Sequence, residues 1–190
     1  MGQTCIHKDL STSFNFKTSI QRLKNGDHYM DSSIVKIAII NKSTLKTLQT
    51  IKLNPTFLFS NVFQSCKAVR SYLTKKNINI DALDNDYGDF IVADFNFDSK
   101  EDIAIKKDSG GNAGPLYDYY VQDNSGRFVR NIFLSEEMEF FPAEINKKKK
   151  TLVTYLHAGV CGLGEHVYSL NTDTNKWHQR SHRIINICKD

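Results

Sequence analysis

The segment Asp94-Phe95-Asn96-Phe97-Asp98-Ser99-Lys100-Glu101-Asp102 places oxygen donors at alternating positions. The side chains of Asp94, Asn96 and Asp98, the backbone carbonyl of Lys100 and the carboxylate of Asp102 have the spacing of a loop that wraps one hard cation, and Ca2+ is the ion expected. Two positions depart from the fullest form of such a loop. Ser99 stands where glycine makes the sharp turn, and Ile105 and Lys106 stand where a closing Glu would follow. The competing reading is a plain acidic turn, because Asp and Asn side chains bond nearby backbone N–H groups. The motif offers a cation site at most, and no catalysis.

The flanking runs decide how such a loop is held. Phe90-Ile91-Val92-Ala93 before it and Ile103-Ala104-Ile105 after it read as strands. The loop therefore belongs at the bend of a hairpin, as calcium loops do in β-propeller blades, and not between the helices of an EF-hand. Residues 34–40 and 45–53 form another hairpin around Asn41-Lys42-Ser43-Thr44. Residues 117–121 turn at Asp123-Asn124-Ser125-Gly126 and return through 128–131, with Gly126 where positive φ is needed. Residues 151–157, 165–170 and 176–180 continue the series, and a final strand is expected near 184–188. Val62, Cys66, Val69 and Leu73 recur at helical spacing and predict one short helix near 62–75, with Ser60 or Asn61 as its N-cap. The expected fold is mainly β: antiparallel hairpins in a small β-propeller-like or sandwich-like domain spanning 1–190, with 1–33 as a peripheral extension.

Composition narrows the function classes. Twelve Phe and eight Tyr against three Pro in 190 residues suit strands. No apolar run approaches the roughly 20 residues needed to span a bilayer. The first residues carry no apolar signal core, so the chain is either intracellular or a secreted protein whose signal has been removed. Net charge is +4, much of it local to Lys147-Lys148-Lys149-Lys150. Such a run can grip phosphates, but it lacks interleaved aromatics and reads as a solvated turn, so nucleic acid is not an expected partner.

Cys5, Cys66, Cys161 and Cys188 contain no C-x-x-C pair, which argues against zinc knuckles and thioredoxin-type chemistry. Three disulfide pairings, or four buried thiols, remain open. His157, Cys161, Glu165 and His166 surround a Gly-rich bend but match no zinc spacing, and His178 and His182 near Trp177 read as surface strand residues. Glu136, Glu137 and Glu139 read as solvated acids. No nucleophile turn is set up, so an enzyme is not expected.

Three segments together carry a family resemblance: Asp94-Phe95-Asn96-Phe97-Asp98 ahead of a strand, Ser109-Gly110-Gly111-Asn112-Ala113-Gly114-Pro115 leading to Leu116-Tyr117, and Tyr119-Tyr120-Val121-Gln122-Asp123-Asn124-Ser125-Gly126-Arg127-Phe128. They resemble bacterial periplasmic immunity proteins of contact-dependent secretion systems, related in fold to inhibitors of invertebrate-type lysozymes. The likeness covers about 87–131 and, loosely, the C-terminal hairpins. It implies a small propeller-like domain, often with bound Ca2+, in the periplasm. Its partner would be a secreted toxin or lysozyme-like hydrolase whose active site its loops plug. Ser109, Gly110, Gly111, Asn112 and Tyr117 would then contact the partner. A glycan- or surface-binding β domain stabilised by calcium is the alternative.

Overall fold

The computed structural model describes residues 3–23, 32–55, 57–111 and 113–188. Among these residues thirteen strands form three sheets taken in chain order. The first is an antiparallel meander of β1 (Gln3–His7), β2 (Phe14–Leu23), β3 (Ser32–Asn41) and β4 (Thr47–Leu53). The second runs β5 (Val69–Ser71), β6 (Phe90–Ala93), β7 (Asp102–Gly111), β8 (Gly114–Gln122) and β9 (Phe128–Arg130). Its first pair, β5 with β6, is parallel and the rest are antiparallel. The third is a second meander: β10 (Glu144–Asn146), β11 (Thr151–His157), β12 (Gly162–Asn171) and β13 (Lys176–Asn186). A six-residue turn of π-helix, Phe133–Met138, joins the last two sheets.

The middle sheet is buried on both faces, and β6 shows why. Its four residues are all shielded from solvent. Side chains alternate across a strand, so Phe90 and Val92 enter one core while Ile91 and Ala93 enter the other. The first core joins them to Phe16, Ile20, Val35, Ile37 and Ile39 of the first sheet. The second joins them to Phe95, Tyr117, Tyr119, Phe141 and, from the third sheet, Leu152 and Tyr168. Each such side chain contributes about 1.5–3 kcal/mol by leaving water. A continuous apolar run is what a doubly covered strand requires.

The mainly β fold is as the sequence implies, and the hairpins β3–β4, β6–β7 and β8–β9 form at the expected places. Three expectations need correction. Residues 62–75 are not helical. Phe63 has φ of 56°, Cys66 is tied to Cys5, and 69–71 form β5, so the spaced apolar residues serve turns and one short strand. Residues 3–23 are not peripheral, since β1 and β2 make half of the first sheet and Phe16 and Ile20 lie in its core. Residues 176–186 are one strand, not two. A bulge opposite Val167 and Tyr168 takes up Arg180 and breaks the alternation that the sequence would otherwise show. The cysteines pair Cys5–Cys66 and Cys161–Cys188.

Candidate functional site

The loop 94–101 sits at the β6–β7 bend, as expected, and is closed by its own polar groups. Buried Asp94 accepts the backbone N–H groups of Asp98 at 3.0 Å and Ser99 at 3.1 Å. Asn96 accepts the N–H of Asp98 at 3.2 Å, and Asp98 accepts that of Lys100 at 2.8 Å. Phe97 and Ser99 take positive φ, which lets the chain fold back on these acceptors. Glu101 ties the loop to the first sheet by accepting Thr12 N–H at 2.8 Å, Thr12 Oγ1 at 2.7 Å and the Ser11 hydroxyl.

The carboxylates of this donor set are engaged by groups of the protein itself. Asp102 is fully buried and takes up three backbone donors. Its Oδ2 accepts N–H groups of Phe95 at 2.9 Å and Asn96 at 3.2 Å, and its Oδ1 accepts that of Gln122 at 2.9 Å. Burial pushes its carboxyl up to about 7 against the pull of those three donors. Lys147 lies 3.0 Å from Asp94 Oδ2, and Lys150 donates to the Phe97 carbonyl at 2.6 Å while lying over the Phe97 ring. The lysine run read as a solvated turn thus supplies two ammonium groups to the loop. The Lys100 ammonium reaches Asn124 Oδ1 at 3.0 Å on the neighbouring hairpin. Among the described residues no group of three His, Cys, Asp or Glu side chains gathers around one point.

The segment 109–115 is a β-hairpin, not a free loop. Gly110 has φ of +64°, and a β carbon there would lie 1.9 Å from the Gly114 carbonyl oxygen, so only glycine fits. Gly111 pairs with Gly114 across the tip and is exposed. Asn112 lies outside the described residues. Two of the expected contact residues work inside the protein. The Ser109 hydroxyl accepts the Phe59 N–H at 2.8 Å and is buried. Tyr117 is fully buried, donates to the Gly88 carbonyl at 3.0 Å and has its pKa raised well above the usual value by burial. Tyr117 therefore cannot meet a partner, because reaching solvent would empty a site in the second core.

The tip is instead braced by Asn85. Asn85 Nδ2 donates to the Ala113 carbonyl at 3.0 Å and to the Tyr155 carbonyl at 2.9 Å, joining the tip to the third sheet. Asp84 and Asn85 both have positive φ, a conformation that Asp and Asn tolerate better than most residues. Beside them Leu83 is 79% exposed and Ile80 58%. With Phe59 these rim a cleft of about 600 Å³ floored by Arg70, Asp86 and Lys106. Lys106 is 2% exposed and binds Asp86 at 2.8 Å and Asp89 at 2.9 Å. Burial raises the Asp89 pKa, and the Lys106 ammonium opposes that shift. Asp86 and Asp89 are thus paired with Lys106, while Asp81 and Asp84 make no ion pair among the described residues.

At the Gly-rich bend Cys161 is consumed by its disulfide. Glu165 pairs with Arg183 at 2.7 Å, so neither joins a metal cluster with His157. His166 stacks on His182 instead.

No family model matches this chain, and no curated protein matches it. A solved structure described as "Structure of a Xanthomonas Type IV Secretion System related protein" is similar in fold, with a TM-score of 0.56 at 18% identity. The likeness covers 98% of this chain and 88% of that one. None of the helices described is long and apolar enough to cross a membrane.

Proposed function

We propose that this chain is a secretion-associated inhibitory binding protein: an immunity protein that binds a secreted lysozyme-like hydrolase and blocks its active site. The observation that carries this reading is the braced edge formed by residues 80–85 and the hairpin tip. Asn85 ties the segment 80–85 to Ala113 and to the third sheet. Little ordering is then left to be done on binding, which is what a tight protein inhibitor needs. Leu83 supplies an exposed apolar anchor, and Asp81 and Asp84 beside it suit a cleft rimmed by basic side chains. The fold likeness to a secretion-system-related protein supports the broader assignment.

Both disulfides are of the kind that persists in an oxidising compartment, which supports the periplasm as the place of action. Inhibition requires only occlusion and hydrogen bonding to the carboxylates of the target's cleft, so the inhibitor itself turns nothing over. The test is competition. A peptidoglycan oligosaccharide bound in the hydrolase cleft must slow association of this protein. Undiminished binding to an oligosaccharide-saturated hydrolase would place the contact away from the active site and overturn the reading.

A second reading is a ligand-binding β domain without inhibitory action. The cleft of about 600 Å³ favours it, since that volume falls within the range of small-molecule sites. Saturable binding of a small molecule in this cleft, with no inhibition of any hydrolase, would select it.

A further inference from the structure

His166 of β12 stands directly opposite His182 of β13 in the antiparallel register. Their ring centroids are 4.3 Å apart with planes 24° from parallel. Gly164, two residues earlier on the same face of β12, leaves space beside them. A β carbon at that position would lie 3.3 Å from His166 Nε2, 3.6 Å from His182 Nε2 and 3.5 Å from the Leu156 carbonyl oxygen. Two imidazole nitrogens and one carbonyl oxygen therefore surround one point beside the Gly164 backbone, which the absence of a side chain leaves unfilled. Among the described residues neither imidazole makes a side-chain hydrogen bond or ion pair, so their nitrogens are not spent within the sheet.

We infer that His166 and His182 form a binding site for one first-row divalent transition ion, with Leu156 able to supply a carbonyl oxygen. Imidazole nitrogens suit Cu2+, Ni2+ and Zn2+, whereas Ca2+ and Mg2+ require shells of oxygen. The strand pair is pre-set for this. The Cys161–Cys188 disulfide closes the end of β12 and β13 nearest the two histidines and holds their register. Binding then requires small ring rotations and no rearrangement of backbone. The remaining coordination positions belong to water, since no third His, Cys, Asp or Glu gathers here among the described residues. The bound ion would cross-link β12 to the exposed strand β13.

The experiment is titration of the untagged full-length protein with Cu2+, Ni2+, Zn2+ and, as a control, Ca2+, followed by calorimetry. One equivalent of Cu2+ binds most tightly, Ni2+ and Zn2+ bind more weakly, and Ca2+ gives no saturable signal at this site. H166A and H182A each lose at least tenfold in Cu2+ affinity, and H178A retains it. Because a substitution in a sheet can perturb folding, the wild-type protein is also read by NMR. Substoichiometric Cu2+ broadens the resonances of His166, His182, Gly164 and Leu156 before any others. Equal affinity in the H166A/H182A double variant, broadening centred elsewhere, or no retained ion on dialysis would each overturn the assignment.

Discussion

The ammonium of Lys147, in the third sheet's first turn, lies 3.0 Å from the buried carboxylate of Asp94, at the bend of the second sheet. The chain thus brings its own positive charge to the loop that by spacing resembles a calcium site. Asp94 is 1% exposed and Lys147 60%, so the pair sits at the boundary between protein and water. Removing the lysine leaves Asp94 with two backbone donors and no counter-charge.

The first prediction follows from that pairing. K147M should lose about 1 kcal/mol of stability, the size expected for one charge-assisted contact at a partly exposed site. Freed of its competitor, the loop should also respond more to calcium, so Ca2+ raises the melting temperature of K147M more than that of the wild type. Thermal scans with EDTA and with excess Ca2+ measure both. An equal calcium response in the two proteins would show that Lys147 does not compete at this loop.

Gly110 gives the second prediction. A methyl group there would overlap the Gly114 carbonyl oxygen at 1.9 Å while the backbone holds φ at +64°. G110A should cost about 2 kcal/mol or more, through both the contact and the strained conformation. G111A, where nothing lies within 4 Å of the added carbon, should cost far less. Urea midpoints of the two variants decide it, and equal midpoints would contradict the tight hairpin.

The third prediction concerns acid. His7 is 5% exposed, contacts Thr18 Oγ1 at 3.2 Å, and has its pKa lowered by burial, with Asp9 partly opposing the shift. Its folded pKa therefore lies below its unfolded value of about 6.5, and between the two the unfolded chain binds more protons. The contribution of His7 is fully present above about pH 6.5 and is lost as pH falls through the folded pKa. H7Q should show a shallower loss of denaturant midpoint between about pH 7.5 and pH 5. An unchanged slope would mean that His7 protonates freely in the folded protein.

The fourth prediction separates the disulfides. Cys5–Cys66 spans 61 residues and Cys161–Cys188 spans 27. Chain entropy alone assigns them about 4 and about 3.5 kcal/mol. The first also anchors β1 to residues that close the first core, whereas the second staples the exposed end of β13. C5A/C66A should melt well below C161A/C188A, and the reverse order would contradict this division.

How much of this was readable in the sequence varies by element. β3, β4 and the β6–β7 hairpin were legible because alternation and Asn- or Asp-rich turns are local signals. The strand β5 was not, because Val62, Val69 and Leu73 follow a helical period while tertiary ties, such as Ser71 Oγ donating to the Leu10 carbonyl at 2.7 Å, fix another conformation. The segment 109–115 was singled out as a loop, but its Gly, Asn and Pro residues concealed both the hairpin and the burial of Ser109 and Tyr117. Tyr117 is committed by packing against Phe141 and Tyr119, which no spacing rule encodes. The pairs Lys147–Asp94 and Asn85–Tyr155 join residues 53 and 70 positions apart, so only the assembled sheets reveal them.

The most direct test of the inhibitory account is clearing of a peptidoglycan suspension by lysozyme-like hydrolases, including any toxin encoded beside this gene, with increasing amounts of this protein present. Full inhibition at one-to-one stoichiometry, weakened at least tenfold by L83E without a change in melting temperature, is the result predicted. Undiminished clearing by every hydrolase at a large molar excess would contradict it.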